Sequence, residues 1–350
     1  MENDYMCIEK FFDDIIPNNL GQKAIFRKNA LWTKGRDITI GFNENGSKLI
    51  ERPVYYGYDR DPMQDIIQSK YCKLSPAEIV KKVIIERFQP LVNLNFNFVS
   101  SDKYNEADIR ISFNKDDPER TYSTIGRDAL RYDKSLPTMN FQWLDIGTII
   151  HEFGHAIGMG HEHQSPNSDI KWNKQKVYEY YPHMSKSQVD ENIINKVYAD
   201  NYNSSDFDPL SVMLYFYPPE VTLNNIGSKR NERLSGYDVQ WIFDTYGKEK
   251  KDPISPEDFY FKTYGITLAA SKAESDRLAG RNFEESDGLS WWKILLIIIA
   301  VIAVIAIIAI IIINFYKKNH DYQRVKKYVP LNRRDSPILR NRGIMGIKGD

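Results

Sequence analysis

The stretch His151-Glu152-Phe153-Gly154-His155-Ala156-Ile157-Gly158-Met159-Gly160-His161 decides how this chain folds. It reads H-E-x-x-H-x-x-G-x-x-H, and three of the chain's six histidines fall inside it. Neutral imidazole is a good zinc ligand, and catalytic zinc sites take three protein ligands and leave a fourth position for water. A glutamate directly after the first histidine can take a proton from that water. The flanking residues predict a helix over 146–157, with Asp145 as its cap and Gly158, tolerant of a left-handed turn, at its end. Ile146, Ile149, Ile150, Phe153 and Ile157 follow the i, i+3, i+4, i+7 rule and form a core stripe. At about 100° per residue, His151 and His155 share the opposite side, and Glu152 lies about a quarter turn round from His151. Gly158 and Gly160 let the chain reverse, so that His161 approaches from outside the helix. Ordinary surface or core histidines would explain neither the third histidine nor a glycine placed where the chain must turn.

With Glu162-His163-Gln164-Ser165-Pro166 following it, this stretch resembles the astacin-like branch of the metzincin zinc endopeptidases. Ser211-Val212-Met213-Leu214-Tyr215 matches the S-x-M-x-Y methionine turn of that clan, with Leu214 where astacins commonly have histidine. The resemblance implies an α+β, zincin-like catalytic domain: a twisted mixed sheet with the active-site helix above a helical lower lobe. It implies one zinc ion (Zn2+) per subunit on His151, His155 and His161, Met213 as an apolar floor, and the Tyr215 hydroxyl facing the metal. In astacins the glutamate matching Glu162 meets the new N-terminus left by propeptide removal; a solvated rim position is the other reading. His163 is expected on the cleft rim.

The likeness extends outward over residues 30–247. Leu31-Trp32 and the alternating Ile38, Ile40 and Phe42 read as a first strand. Ser75-Pro76-Ala77-Glu78 is a capping box with proline at the first helical position, opening a helix that packs Ile79, Val80, Val83 and Ile84 inward. Leu94, Phe96 and Phe98 alternate as another strand, and residues 107–113 as a third. In metzincins a strand of this last kind is the sheet edge beside the cleft, where extended substrate pairs with backbone; an interior strand is the alternative. Leu234-Ser235-Gly236-Tyr237-Asp238 and residues 242–246 look like the closing helix.

A second segment bears on location. Residues 294–313 are twenty consecutive Ile, Leu, Val and Ala, enough to span a bilayer as one helix. Trp291 and Trp292 precede them, and Phe315, Tyr316, Lys317 and Lys318 follow, as interfacial anchors do. Residues 317–350 hold ten Lys and Arg against three Asp, a net of +7; since the whole chain balances 47 against 47, the rest carries −7. A basic tail beside an apolar helix reads as an inside-facing juxtamembrane segment, and no basic helix or zinc-finger spacing points to nucleic acid. The expected organisation is a leader over 1–29, the catalytic domain over 30–247, a stalk over 248–290, a transmembrane helix over 291–316 and the basic tail over 317–350. Against an exported catalytic domain, Met1-Glu2-Asn3-Asp4 opens no signal peptide. The two cysteines, Cys7 and Cys72, do not supply the two disulfides usual in astacins. Within the leader, Phe11-Phe12-Asp13-Asp14 faintly echoes the F-x-G-D aspartate of astacin prosegments, and Cys7 offers a thiolate; a surface-packed leader is the plainer reading.

The expected function is a membrane-anchored, zinc-dependent endopeptidase acting on peptide or protein substrates, single-pass and held in the lipid bilayer by residues 294–313. Glu152 and Tyr215 are its catalytic residues. Glu152 takes the proton from water and returns it to the departing amine, and Tyr215 shares the charge on the carbonyl oxygen. The alternative is a catalytically silent zincin-fold module on a membrane that binds zinc or a protein. The intact Glu152 argues against it.

Overall fold

The computed structural model describes residues 7–10, 26–43, 61–68, 73–117, 120–182, 184–197, 202–203, 206–247, 254–281, 299, 306–314 and 316–317. Its strands are β1 (Cys7–Lys10), β2 (Phe26–Arg27), β3 (Asp37–Asn43), β4 (Asn95–Phe98), β5 (Ile109–Ser112), β6 (Thr121–Thr124), β7 (Met139–Asn140) and β8 (Tyr202–Asn203). Its helices are α1 (Met63–Gln68), α2 (Pro76–Val83), α3 (Ile146–Ala156), α4 (Lys174–Tyr180), α5 (Lys186–Val189), α6 (Gly236–Tyr246), α7 (Pro256–Tyr264) and α8 (Leu268–Leu278). Six strands form one mixed sheet in the order β1-β6-β7-β5-β3-β4, and β2 pairs with β8 in a separate ribbon. β3, β4, β5 and β7 run parallel; β6 runs antiparallel to β7, and β1 lies parallel to β6 with Cys7 opposite Thr121 and Lys10 opposite Thr124.

The chemistry of the segments explains these elements. The Ser75 hydroxyl accepts the Glu78 N–H while the Glu78 carboxylate accepts the Ser75 N–H, so α2 starts at the capping box. On α3, Asp145 accepts the Thr148 N–H, and Gly158, at φ 105, makes the left-handed exit. The predicted stripe of Ile146, Ile149, Ile150, Phe153 and Ile157 is wholly buried. Phe153 meets the edges of Phe88 and Phe96, with ring centroids 4.9 and 5.1 Å away. That contact locks α3 to the helix following α2 and to the sheet, and an alanine at 153 would cost about 3–5 kcal/mol. A second apolar cluster gathers Val177, Val189, Ile193, Leu214, Tyr215, Tyr217 and Val221, the lower lobe beneath the histidines.

One open reading closes and one expectation changes. Residues 107–113 are not the sheet edge: β5 lies between β3 and β7, with all four residues buried. The reason is Arg110, whose guanidinium donates to the carbonyls of Leu136, Ala107 and Asp133 and ties the returning chain against β5, where β7 docks. The edges are β1 and β4; β6, which packs on α3, lies between β7 and β1. Secondly, the segment expected as a stalk holds α7 and α8, whose Phe259, Tyr260, Tyr264 and Leu268 are buried in the main core. The packed unit thus runs on to Asn282, and Phe283–Asp350 form a second unit. Within that second unit, residues 306–314 are helical, and Ile307, Ile308, Ile310, Ile311, Ile312 and Ile313 are exposed. Among the described residues no helix is long and apolar enough to cross a membrane. The remainder of 294–313, apart from Ile299, lies outside the described residues, as do Phe11-Phe12-Asp13-Asp14.

Candidate metal centre

One turn of α3 separates His151 from His155, and the tight reversal at Gly158 brings His161 back to them. Their Nε2 atoms converge: His155 lies 3.1 Å from His151 and 3.1 Å from His161, and His151 lies 3.3 Å from His161. The reversal is pinned from three sides. Trp32 Nε1 donates to Ala156 O, the Tyr246 hydroxyl to Ile157 O, and the Arg27 N–H to Gly158 O. Nothing in the sequence assigns these three to the site, because each reads there as a plain core or surface residue.

The far side of two rings fixes their tautomer. His151 Nδ1 lies 2.8 Å from the Val212 carbonyl and His155 Nδ1 lies 2.8 Å from the Met159 carbonyl. A carbonyl only accepts, so each Nδ1 carries the proton and each Nε2 presents a lone pair. Burial, and then neighbouring histidines, push His155 and His161 well below the ordinary imidazole range, keeping them neutral. Lone pairs 3.1–3.3 Å apart repel unless a cation sits between them. Zinc–nitrogen bonds of 2.0–2.1 Å at tetrahedral angles would set such nitrogens about 3.4 Å apart. The donor set and its spacing therefore fit zinc. Among the described residues these three form a cluster of metal-ligating type.

Beneath the rings lies the methionine turn. Asp238 Oδ1 accepts the Ser211 hydroxyl at 2.7 Å, and its Oδ2 accepts the Val212 N–H at 2.9 Å. Ser211 Oγ in turn accepts the Met213 N–H, and Leu214 N closes on Ser211 O. Met213 and Gly154 meet: a Cβ added to Gly154 would lie 2.7 Å from Met213 Sδ. The glycine inside H-E-x-x-H thus lets Met213 approach α3 closely, a role its position in the motif did not disclose. Leu214, the departure from the usual histidine, packs into the lower lobe.

Glu152 is fully buried on α3. Tyr215 stands beside the histidines, its ring centroid 4.1 Å from that of His161 and 6.0 Å from that of His151. Two rim expectations are corrected. His163 is buried, stacked on Tyr215 at 4.5 Å with Nε2 on Asn192 O, so it backs the tyrosine from inside the lobe. Glu162 is buried as well, accepting the Asp208 N–H at 2.8 Å. Burial, and then the nearby Asp208, raise its carboxyl well above the ordinary range.

The chain is similar to known proteins. Residues 79–240 match the profile of the astacin peptidase family. A solved structure of myroilysin aligns over 65% of this chain and 100% of its own, at 29% identity and a TM-score of 0.51. The high choriolytic enzyme 1 of Oryzias latipes (medaka fish), a hatching-enzyme zinc protease, aligns over 64% of this chain and 96% of its own, at 17% identity and a TM-score of 0.35. A search of curated proteins finds no match. The three-histidine cluster, the methionine turn beneath it and the profile match together show that the chain carries a domain of the astacin peptidase family, a family of zinc metallopeptidases.

Proposed function

We propose that this chain is a zinc endopeptidase that cuts peptide bonds in extended peptide or protein segments, and that it works at a membrane. The observation that carries the reading is the convergence of three histidine Nε2 atoms within 3.3 Å, with the buried Glu152 adjacent to the first of them. A zinc ion held by His151, His155 and His161 would supply Lewis acidity and bring the pKa of water from 15.7 to about 7. Glu152 then accepts the proton of the attacking water and delivers it to the departing amine. The Tyr215 hydroxyl, its ring held between His161 and His163, donates to the carbonyl oxygen as negative charge builds there. An extended substrate would lie along β6, the strand packed on α3. In the present arrangement β1 takes that place, so the N-terminal segment competes with substrate.

Anchoring by residues 294–313 is supported by their unbroken apolar composition and by the exposed isoleucines of 306–314. The +7 tail favours the interior side for residues 317–350. The test is metal analysis of the purified chain combined with peptide-library cleavage, with and without a chelator. One zinc per chain and chelator-sensitive cutting is the expected result; one zinc without cutting replaces the protease with a silent module.

A further inference from the structure

α8 lies beyond the region that matches the astacin profile, yet it reaches the metal centre through an unbroken chain of hydrogen bonds. The inward residues of α8 are Leu268, Ser271 and Ser275, a stripe in which two of the three side chains are hydroxyls. Ser275 Oγ donates to Asp208 Oδ1, and Ser235 Oγ donates to the other oxygen of the same carboxylate. The Ser235 N–H donates to Asp238 Oδ2 at 2.9 Å, and that oxygen also accepts the Val212 N–H at 2.9 Å. The Val212 carbonyl accepts the proton of His151 Nδ1 at 2.8 Å. A second branch runs from the Asp208 N–H to Glu162, the residue after His161. From just past the end of α8, Arg281 Nη1 donates to Phe207 O at 2.7 Å, while its Nε is held by Asp276 at 2.8 Å.

Every link between Ser275 and His151 is buried or made by backbone. In such a setting a lost hydroxyl is not replaced by water, and the carboxylate it held must turn or accept an unmatched lone pair. Val212 has both its N–H and its carbonyl committed, so a turn of Asp238 is felt at the carbonyl that orients His151. Partners of a metal-bound histidine set its ring orientation, and losing one costs roughly 10–100-fold in metal affinity.

We propose that α8 and the turn that follows it are part of the catalytic apparatus: Ser275, on Asp208 itself, and Arg281, on the preceding Phe207 carbonyl, are positioning residues that, through Asp208 and Asp238, hold the Val212 carbonyl where it aims His151 at the metal. The proposal rests on the zinc reading given above. Its test uses the full-length chain in detergent with three readouts: zinc dissociation constant by chelator competition, the visible absorption bands of the cobalt-loaded site, and thermal unfolding. Ser275→Ala is expected to weaken zinc binding roughly tenfold and to shift the cobalt bands. Ser275→Thr, which keeps the hydroxyl, restores both. Ile38→Val, a core change in the sheet, lowers the unfolding temperature and moves neither. If Ser275→Ala does not fold, Arg281→Gln carries the same expectation from the other end of the segment. A Ser275→Ala chain that melts earlier but keeps wild-type zinc affinity and cobalt bands overturns the proposal alone. A wild-type chain whose zinc binding is unchanged by His161→Ala overturns the zinc reading, and this proposal with it.

Discussion

Met213 Sδ lies 2.7 Å from the point where Gly154 would carry a Cβ, so α3 and the methionine turn touch there, and a side chain at 154 would force Met213 to shift. Met159 Sδ, at 3.3 Å from the same point, closes the other side. The height of His151 and His155 above their floor is set by this contact. In Gly154→Ala, the helix would gain about 1 kcal/mol from the better helix former. Overpacking against two sulfurs opposes this with about 1–3 kcal/mol. We expect a net loss of stability and weaker zinc binding. The measurement is the gap in unfolding temperature between zinc-loaded and chelated protein, which should narrow in the variant.

Glu152 and Tyr215 are expected to separate chemistry from metal binding. Glu152→Gln keeps the size and burial of the side chain but cannot accept a proton, so turnover should fall by about 10²–10⁴ with zinc content unchanged. Tyr215→Phe keeps the stack on His163 and removes one donor, for a loss of about 10². Rates on a library-derived peptide, normalised to bound zinc, check both. Wild-type turnover by the glutamine variant contradicts the assignment.

The legible parts of this fold were those written in short-range chemistry. The N-cap at Asp145, the capping box at Ser75 and the isoleucine stripe of α3 depend on residues three or four apart. The closure of three histidines follows from helix pitch and one glycine. What was not legible depends on partners far along the chain. Arg110 reads as the polar member of an alternating strand, and only its bonds to Leu136 and Asp133 make β5 interior. Ser271 and Ser275 give α8 a polar-looking face because their partners, Tyr260 and Asp208, are supplied by other segments. His163 and Glu162 look like rim residues until the lower lobe closes over them.

Asp238 gives the fold a pH dependence of predictable sign. Burial, with the neighbouring Asp208 adding to it, raises its carboxyl from 3.8 to about 7. A carboxyl raised in the folded state binds a proton that the unfolded chain has already released. Its contribution is therefore present in full below about 3.8 and is lost as pH rises through about 7. Asp238→Asn mimics the protonated group, with an oxygen for the Val212 and Ser235 N–H groups and an amide toward Ser211. Chemical denaturation at intervals from pH 4 to pH 8 should show the wild type losing stability relative to the variant, at up to about 1.4 kcal/mol per pH unit. Parallel curves for the two proteins would refute the assignment.

β1 pairs with β6 along Cys7–Lys10, the strand on which an extended substrate would lie. A tethered segment competes at an effective concentration on the order of millimolar, far above a micromolar peptide. Removing residues 1–25 should therefore raise turnover of a short peptide at least about tenfold, and adding a synthetic peptide of residues 1–25 should lower it again. Equal rates before and after removal would mean that β1 leaves the cleft open.

If residues 294–313 anchor the chain as proposed, the charge of the tail bears on which compartment the metal centre serves. Ten Lys and Arg against three Asp over residues 317–350, directly after an apolar run of twenty, bias the tail toward the interior side and the catalytic domain across the bilayer. The opposite orientation would place the catalytic domain on the cytosolic side. Sealed membranes carrying the protein, tagged at residue 350 and treated with an external protease, separate the two. We expect the catalytic domain to be digested and a tagged fragment on the order of 60 residues to survive, because a bilayer shields both a spanning helix and an interior tail. Survival of the catalytic domain with loss of the tag would put the zinc site on the same side as the cytosol, where thiols stay reduced and a domain with only Cys7 and Cys72 lacks nothing it needs.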